Sequence, residues 1–148
     1  MSSLKGQSNT ILLVDDNKMG LVARKQVLEE LGYRTTVAAS ANAALELFVG
    51  NSYDLVVTDY KMPDMSGIDL IQRFRLVRPN VPIILISGFA EVLGLDEETT
   101  GADLVINKSA SEVGQLVRSV SRLLAARKNG KKPPASVQPE ARVRKKTS

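Results

Sequence analysis

Four short apolar runs, each followed by a polar residue, limit this chain more than any other feature. Ile11-Leu12-Leu13-Val14 ends at Asp15-Asp16, Leu55-Val56-Val57-Thr58 at Asp59, and Ile83-Ile84-Leu85-Ile86 at Ser87; Lys108 lies just past Leu104-Val105-Ile106. Each run reads as a buried strand, and the continuous runs at 11–14, 55–58 and 83–86 imply burial on both faces, as in a parallel sheet covered by helices. In open α/β sheets, ligands bind at the carboxyl ends of the strands. Three carboxylates, a hydroxyl and an ammonium therefore converge on the edge where a divalent cation and a phosphoryl group would sit.

The rest of the chain alternates accordingly. Strands are read near 10–15, 34–38, 54–59, 82–87 and 103–107, and helices near 18–31, 41–50, 66–78, 90–99 and 110–127. Val113, Leu116, Val117, Val120, Leu123 and Leu124 form one apolar stripe in the last helix, and Ser109 with Glu112 has capping-box spacing at its start. Ser66 and Asp69 form a weaker cap before a helix whose buried face is read as Leu70, Ile71, Phe74 and Val77. Gly32 is placed to end the first helix. Pro82 fits as the first residue of its strand, where no ladder donor is needed. The helix near 90–99 is interrupted by Gly94 and finishes in an acidic, loop-like segment, so it is expected to be short or mobile. The fold expected is a doubly wound α/β domain of the flavodoxin type, a five-stranded parallel sheet of order 2-1-3-4-5.

Composition removes several chemistries. A chain of 148 residues with 43% hydrophobic content suits one globular domain. Cys is absent, which excludes disulfides and thiolate metal sites, and His is absent, which excludes an imidazole base, a Ser-His-Asp triad and a histidine metal ligand. A phosphohistidine donor must then be another protein. No apolar stretch approaches the ~20 residues of a spanning helix, and the N-terminus lacks an apolar signal core, so a cytoplasmic protein without membrane insertion is expected. The net charge of +4 conceals an asymmetry: residues 127–148 carry eight Lys and Arg against one Glu, whereas residues 1–126 carry twelve against fifteen acidic residues. Residues 1–8 are read as a disordered N-terminus and 128–148 as a basic, proline-containing disordered tail that cannot bury enough apolar surface to order itself. With no aromatic residue for base stacking, that tail is read as a solvated extension rather than a nucleic-acid contact.

The chemistry of the edge follows from its charges. Asp15, Asp16 and Asp59 repel one another unless a cation compensates, and oxygen-only donors favour a hard ion such as Mg²⁺. Asp59 could then attack phosphorus as a nucleophile, with Ser87 donating a hydrogen bond to the phosphoryl oxygens and Lys108 pairing with them as a point charge.

Over roughly residues 9–127 the chain resembles the receiver domains of two-component response regulators, of the bacterial chemotaxis-regulator type. The resemblance rests on Ile11-Leu12-Leu13-Val14-Asp15-Asp16, on Asp59-Tyr60-Lys61-Met62-Pro63-Asp64-Met65-Ser66-Gly67, on Ile86-Ser87-Gly88 and on Asn107-Lys108, in that order. It implies a phosphorelay role in which Asp59 becomes an aspartyl phosphate. Asp16 and Asp59 would hold Mg²⁺ by their side chains, Lys61 by its carbonyl, and Asp15 partly through water. Ser87 matches the family's switch hydroxyl and Lys108 its lysine. The implied donors are a histidine kinase, a histidine phosphotransfer protein or a small acyl phosphate. The chain would be a phosphoacceptor regulator that hydrolyses its own aspartyl phosphate rather than a conventional enzyme. Its downstream protein partner is not named by the sequence, and a homodimer is left open. Lys61 also lies where family side chains modulate autodephosphorylation.

Three positions depart from the family pattern. Val105 replaces an aromatic residue that swings inward when the switch hydroxyl engages phosphate. Ser109 replaces a proline that follows a cis bond, and a cis bond before a non-proline costs ~2.5–4 kcal/mol. Gly88 stands where a small Ala is common. None removes a phosphorylation residue, and all bear on how a signal leaves. They motivate a rival reading, a phosphorylation-independent interaction module with a degenerate switch. A magnesium-dependent phosphatase is the other rival, though its Asp-x-Asp motif is missing because Tyr60-Lys61 follows Asp59. The chain is expected to be either a standalone receiver or part of a longer regulator or hybrid kinase.

Overall fold

The computed structural model describes residues 9–88 and 93–128. Five strands, β1 (Thr10–Val14), β2 (Arg34–Ala38), β3 (Leu55–Asp59), β4 (Ile83–Ser87) and β5 (Leu104–Asn107), form one sheet of order β2-β1-β3-β4-β5. All four pairings are parallel. This is the doubly wound arrangement expected from the apolar runs. The helices are α1 (Lys18–Glu30), α2 (Ala41–Gly50), α3 (Gly67–Val77), the single turn α4 (Glu97–Thr100) and α5 (Glu112–Lys128). The sequence-read strands and helices match these within one or two residues, apart from the helix near 90–99, part of which lies outside the described residues. The expected termini, 1–8 and all of 128–148 beyond Lys128, also lie outside them.

Burial explains the strand sequences. β3 and β4 are buried at every position and β1 at all but its first, whereas the edge strands β2 and β5 are largely half-exposed. Alternate residues supply the two faces. Leu12, Val14, Val56, Ile83 and Leu85 join Phe48 of α2 and Leu70, Ile71 and Phe74 of α3. Ile11, Leu13, Val57, Ile84 and Ile86 join Leu21 and Leu28 of α1 and Leu116, Val120 and Leu123 of α5.

Two caps are as expected. Ser66 Oγ accepts from the Asp69 amide at 3.2 Å, and Gly32, at φ 98°, follows the end of α1 and donates its amide to Glu29 O. Four expectations need correction. Val77 and Val113 are 42% and 43% exposed rather than buried. Val77 is the last residue of α3, and Val113 lies in the first turn of α5. The Ser109–Glu112 capping box is not formed, because the Glu112 carboxylate accepts from Arg24 while Ser109 Oγ accepts from the Ser111 amide. The acidic segment after Gly94 is a capped turn rather than a loop. Asp96 accepts from the Thr99 amide, Thr99 Oγ1 accepts from the Asp96 amide, and Gly101 closes the turn at φ 82°.

Candidate functional site

Strand register assembles the site. Val14 lies opposite Thr58, Asp59 opposite Ile86, and Ser87 opposite Asn107. The residues that end the runs therefore line up at one sheet edge: Asp15 just past β1, Asp59 closing β3, Ser87 closing β4 and Lys108 just past β5. Asp15, Asp16 and Asp59 each offer a carboxylate oxygen, and these oxygens lie within 4.8 Å of one another. With Asn17, Lys61, Met62, Pro63 and Lys108 they line an open cleft of about 570 Å³. Ser87 is 1% exposed, one step along β4 from the partner of Asp59, and its carbonyl accepts from the Lys108 amide at 3.0 Å.

The carboxylates differ in their surroundings. Asp16 is exposed, whereas Asp15 and Asp59 are 1% and 4% exposed. Asp15 Oδ1 accepts from the Asn17 amide at 2.9 Å and Oδ2 from Arg24 Nη1 at 2.7 Å. Asn17 in turn caps α1 by accepting from the amides of Met19 and Gly20. Asp59 Oδ1 is in ion-pair contact with Lys108 Nζ at 2.8 Å. Burial raises the Asp59 pKa above the ordinary value; Lys108 opposes this, and the charge of Asp15 adds to it.

The loop from Lys61 to Ser66 is held at both ends. The Gly67 amide donates to Tyr60 O at 2.7 Å, and the Tyr60 amide to Ile86 O at 2.9 Å. In between, Asp64 accepts from the amides of Ala41 and Asn42 at the start of α2, at 3.2 and 2.9 Å. These backbone donors hold its carboxyl below the ordinary value.

Sequence reasoning missed Arg24, Glu112 and the role of Asp64. Arg24 is 6% exposed and bridges Asp15 and Glu112, at 2.7 and 2.9 Å. Burial works against its charge, yet the hydrogen bonds to Asp15 and Glu112 prevail and hold its pKa above the ordinary value. Its signal was a charged residue between Leu21 and Leu28 on the buried face of α1. Three cations, Arg24, Lys61 and Lys108, thus stand against four carboxylates, Asp15, Asp16, Asp59 and Glu112, leaving one formal negative charge. That imbalance, together with three hard oxygen donors within 4.8 Å, fits a divalent ion such as Mg²⁺.

β5 has its own tie. The Val105 amide donates to Glu97 Oε2 at 2.9 Å, and the half-buried Val105 side chain packs on the core shared by α2 and α3. No described helix is long and apolar enough to cross a membrane.

Residues 11–121 match the family model of the response regulator receiver domain. The aerobic respiration control sensor protein ArcB of Escherichia coli K12 is 37% identical over 105 residues, 68% of this chain and 13% of that protein. Sporulation initiation phosphotransferase F of Bacillus subtilis is 26% identical over 119 residues, covering 80% of this chain and 96% of the relative. The chain spans about a tenth of the length of the sensor kinases it matches, 10% for the autoinducer 1 sensor kinase/phosphatase LuxN of Vibrio campbellii. Among solved structures, a CheY-like receiver domain protein from Methanospirillum hungatei superposes with TM-score 0.75 at 29% identity, covering 83% of this chain and 98% of that one. Response regulator TrrA of Thermotoga maritima, in complex with Mg²⁺-BeF, gives TM-score 0.71 at 30% identity over 78% of this chain and 98% of its own. The chain belongs to the response regulator receiver domain family.

Proposed function

We propose that this receiver takes a phosphoryl group onto Asp59 from a phosphohistidine of a histidine kinase or phosphotransfer protein, and that the acyl phosphate changes which partner it binds. The observation that carries this reading is the meeting of Asp15, Asp16 and Asp59 within 4.8 Å, with Lys108 2.8 Å from Asp59. An Asp59 oxygen attacks phosphorus, the P–N bond of the donor breaks, and its electron pair returns to the donor imidazole. Asp16, Asp59 and the Lys61 carbonyl would hold Mg²⁺, with Asp15 reaching it partly through water. Bound there, the ion neutralises charge on the cluster and on the phosphoryl oxygens. Lys108, already at Asp59, pairs with a phosphoryl oxygen, and the Ser87 hydroxyl donates to another. Transfer then depends on positioning and charge stabilisation, with no protein base required. The TrrA complex with Mg²⁺-BeF supports the metal reading.

Intact-protein mass after incubation with acetyl phosphate and Mg²⁺ tests this reading. One phosphoryl adduct is expected, lost in Asp59→Asn and on metal chelation. An adduct that survives in Asp59→Asn would defeat the assignment, as would failure of both acetyl phosphate and cognate kinases to produce one.

A second reading, partner binding that ignores phosphorylation, draws on Val105. An aliphatic side chain packed on the core cannot swing as an aromatic one does, and its amide is tied to Glu97. Equal partner affinity with and without phosphorylation would favour that reading.

A further inference from the structure

Arg24 connects the acidic cleft to a helix that does not line it. Its Nη1 donates to Asp15 Oδ2 at 2.7 Å, and its Nε and Nη2 donate to Glu112 Oε2 at 3.0 and 2.9 Å. Glu112 is the first residue of α5, its side chain 16% exposed. A planar guanidinium can serve two carboxylates at once, and a buried one is tolerated only when so paired. Gly20 leaves room for the contact: a Cβ there would lie 3.1 Å from Asp15 Oδ2 and 3.7 Å from Arg24 Nη1.

We infer that Arg24 is a positioning residue of the metal cleft, a built-in cation that shares Asp15 with incoming Mg²⁺ and whose hold on Asp15 is set from outside the cleft by Glu112. The inference rests on reading the cleft as a magnesium site. A divalent ion draws on the same Asp15 charge that pairs with Arg24, so the two cations compete. Glu112 offsets part of the guanidinium charge and weakens that competition. Coupling between two sites is reciprocal: Mg²⁺ in the cleft makes Arg24 depend more on Glu112 and tightens the first turn of α5. This gives cleft occupancy a route out of the site that does not need an aromatic residue at position 105.

Calorimetric titration of the whole chain with Mg²⁺ alone, at fixed ionic strength, tests the linkage. Arg24→Met should bind Mg²⁺ more tightly and Glu112→Gln more weakly, each by roughly fivefold, the low end of ordinary coupling between sites. In the double variant the Glu112→Gln effect should vanish, since Glu112 acts through Arg24. A merely structural salt bridge would weaken Mg²⁺ binding in both single variants, and that result would overturn the inference. If Arg24→Met does not fold, Arg24→Lys replaces it. Lys keeps the charge but cannot fork to Glu112, so it should weaken binding, and Glu112→Gln should add nothing; additive losses would overturn the inference. No Mg²⁺ binding by the wild-type chain would instead defeat the metal reading itself.

Discussion

Gly67 faces the backbone carbonyl of Asp59 with no room for a side chain. A Cβ at position 67 would overlap Asp59 O and lie 2.9 Å from both Tyr60 Cα and Leu85 Cδ1. Two of these three neighbours are backbone, which cannot rotate aside. Gly67→Ala must therefore push the start of α3 away from the end of β3, at a cost of about 1–3 kcal/mol, typical of overpacking. The same displacement moves Asp59, the proposed phosphoacceptor, so uptake from acetyl phosphate should slow as well. Urea unfolding and timed intact-mass measurements check the two effects; an unchanged urea midpoint would mean that the backbone relaxes freely there.

Asp59→Asn should stabilise the metal-free protein at neutral pH. Burial raises the Asp59 pKa in the fold, so its contribution to stability is fully present below its unfolded pKa and lost as pH rises through the folded one. Asn removes that loss. Lys108, 41% exposed at its side chain, is left to solvent at little cost. Thermal unfolding in chelator should give a higher Tm for Asp59→Asn at pH 7, with the gap narrowing as pH falls through the carboxylate range. Added Mg²⁺ should raise the wild-type Tm more than that of the variant. A lower Tm for Asp59→Asn at pH 7 in chelator would show that the Lys108 ion pair outweighs burial.

The strands and the edge residues were legible because they depend on local pattern. Continuous apolar runs demand two-sided burial, and a parallel sheet places every strand end on one edge. Asp15, Asp59, Ser87 and Lys108 thus fall at one edge on sequence alone. What was not legible depends on pairing across distance. Arg24 and Glu112 are 88 residues apart, and nothing in either local sequence names the other. Glu112 has the spacing of a cap for its own helix, a local rule, but the buried guanidinium claims its carboxylate. Val77 and Val113 have the helical spacing of core residues; they are exposed because each sits in a terminal turn of its helix.

Asp64→Ala should cost about 1 kcal/mol at neutral pH, the usual loss when a side chain stops satisfying the first amides of a helix. Asp64 covers the amides of Ala41 and Asn42, and Ser40 Oγ that of Ala43, so α2 depends on a residue from the cleft-lining loop. The pH dependence runs opposite to that of Asp59. The Asp64 pKa is lowered in the fold, so its stabilisation is present above the unfolded pKa and lost as pH falls through the folded one. Urea midpoints at neutral and acidic pH should show the difference between wild type and Asp64→Ala shrinking in acid. A pH-independent difference would mean that shape rather than charge is what the amides require.

Glu97→Ala should free the edge strand at Val105. The Glu97 carboxylate accepts from the Val105 amide at 2.9 Å and so occupies a donor that an edge strand would otherwise offer to solvent or to another chain. Losing a part-buried hydrogen bond of this kind costs about 1 kcal/mol, and the local signature is faster hydrogen exchange at the Val105 amide. The same amide also tests the proposed signalling route. If the acyl phosphate on Asp59 acts through β5, phosphorylation of the wild-type chain should change Val105 exchange, and Glu97→Ala should blunt that change because the tether it modulates is gone. If exchange responds instead in the first turn of α5, around Glu112, the route through Arg24 carries the signal. Exchange measured residue by residue, with and without acetyl phosphate, separates the two routes in one experiment.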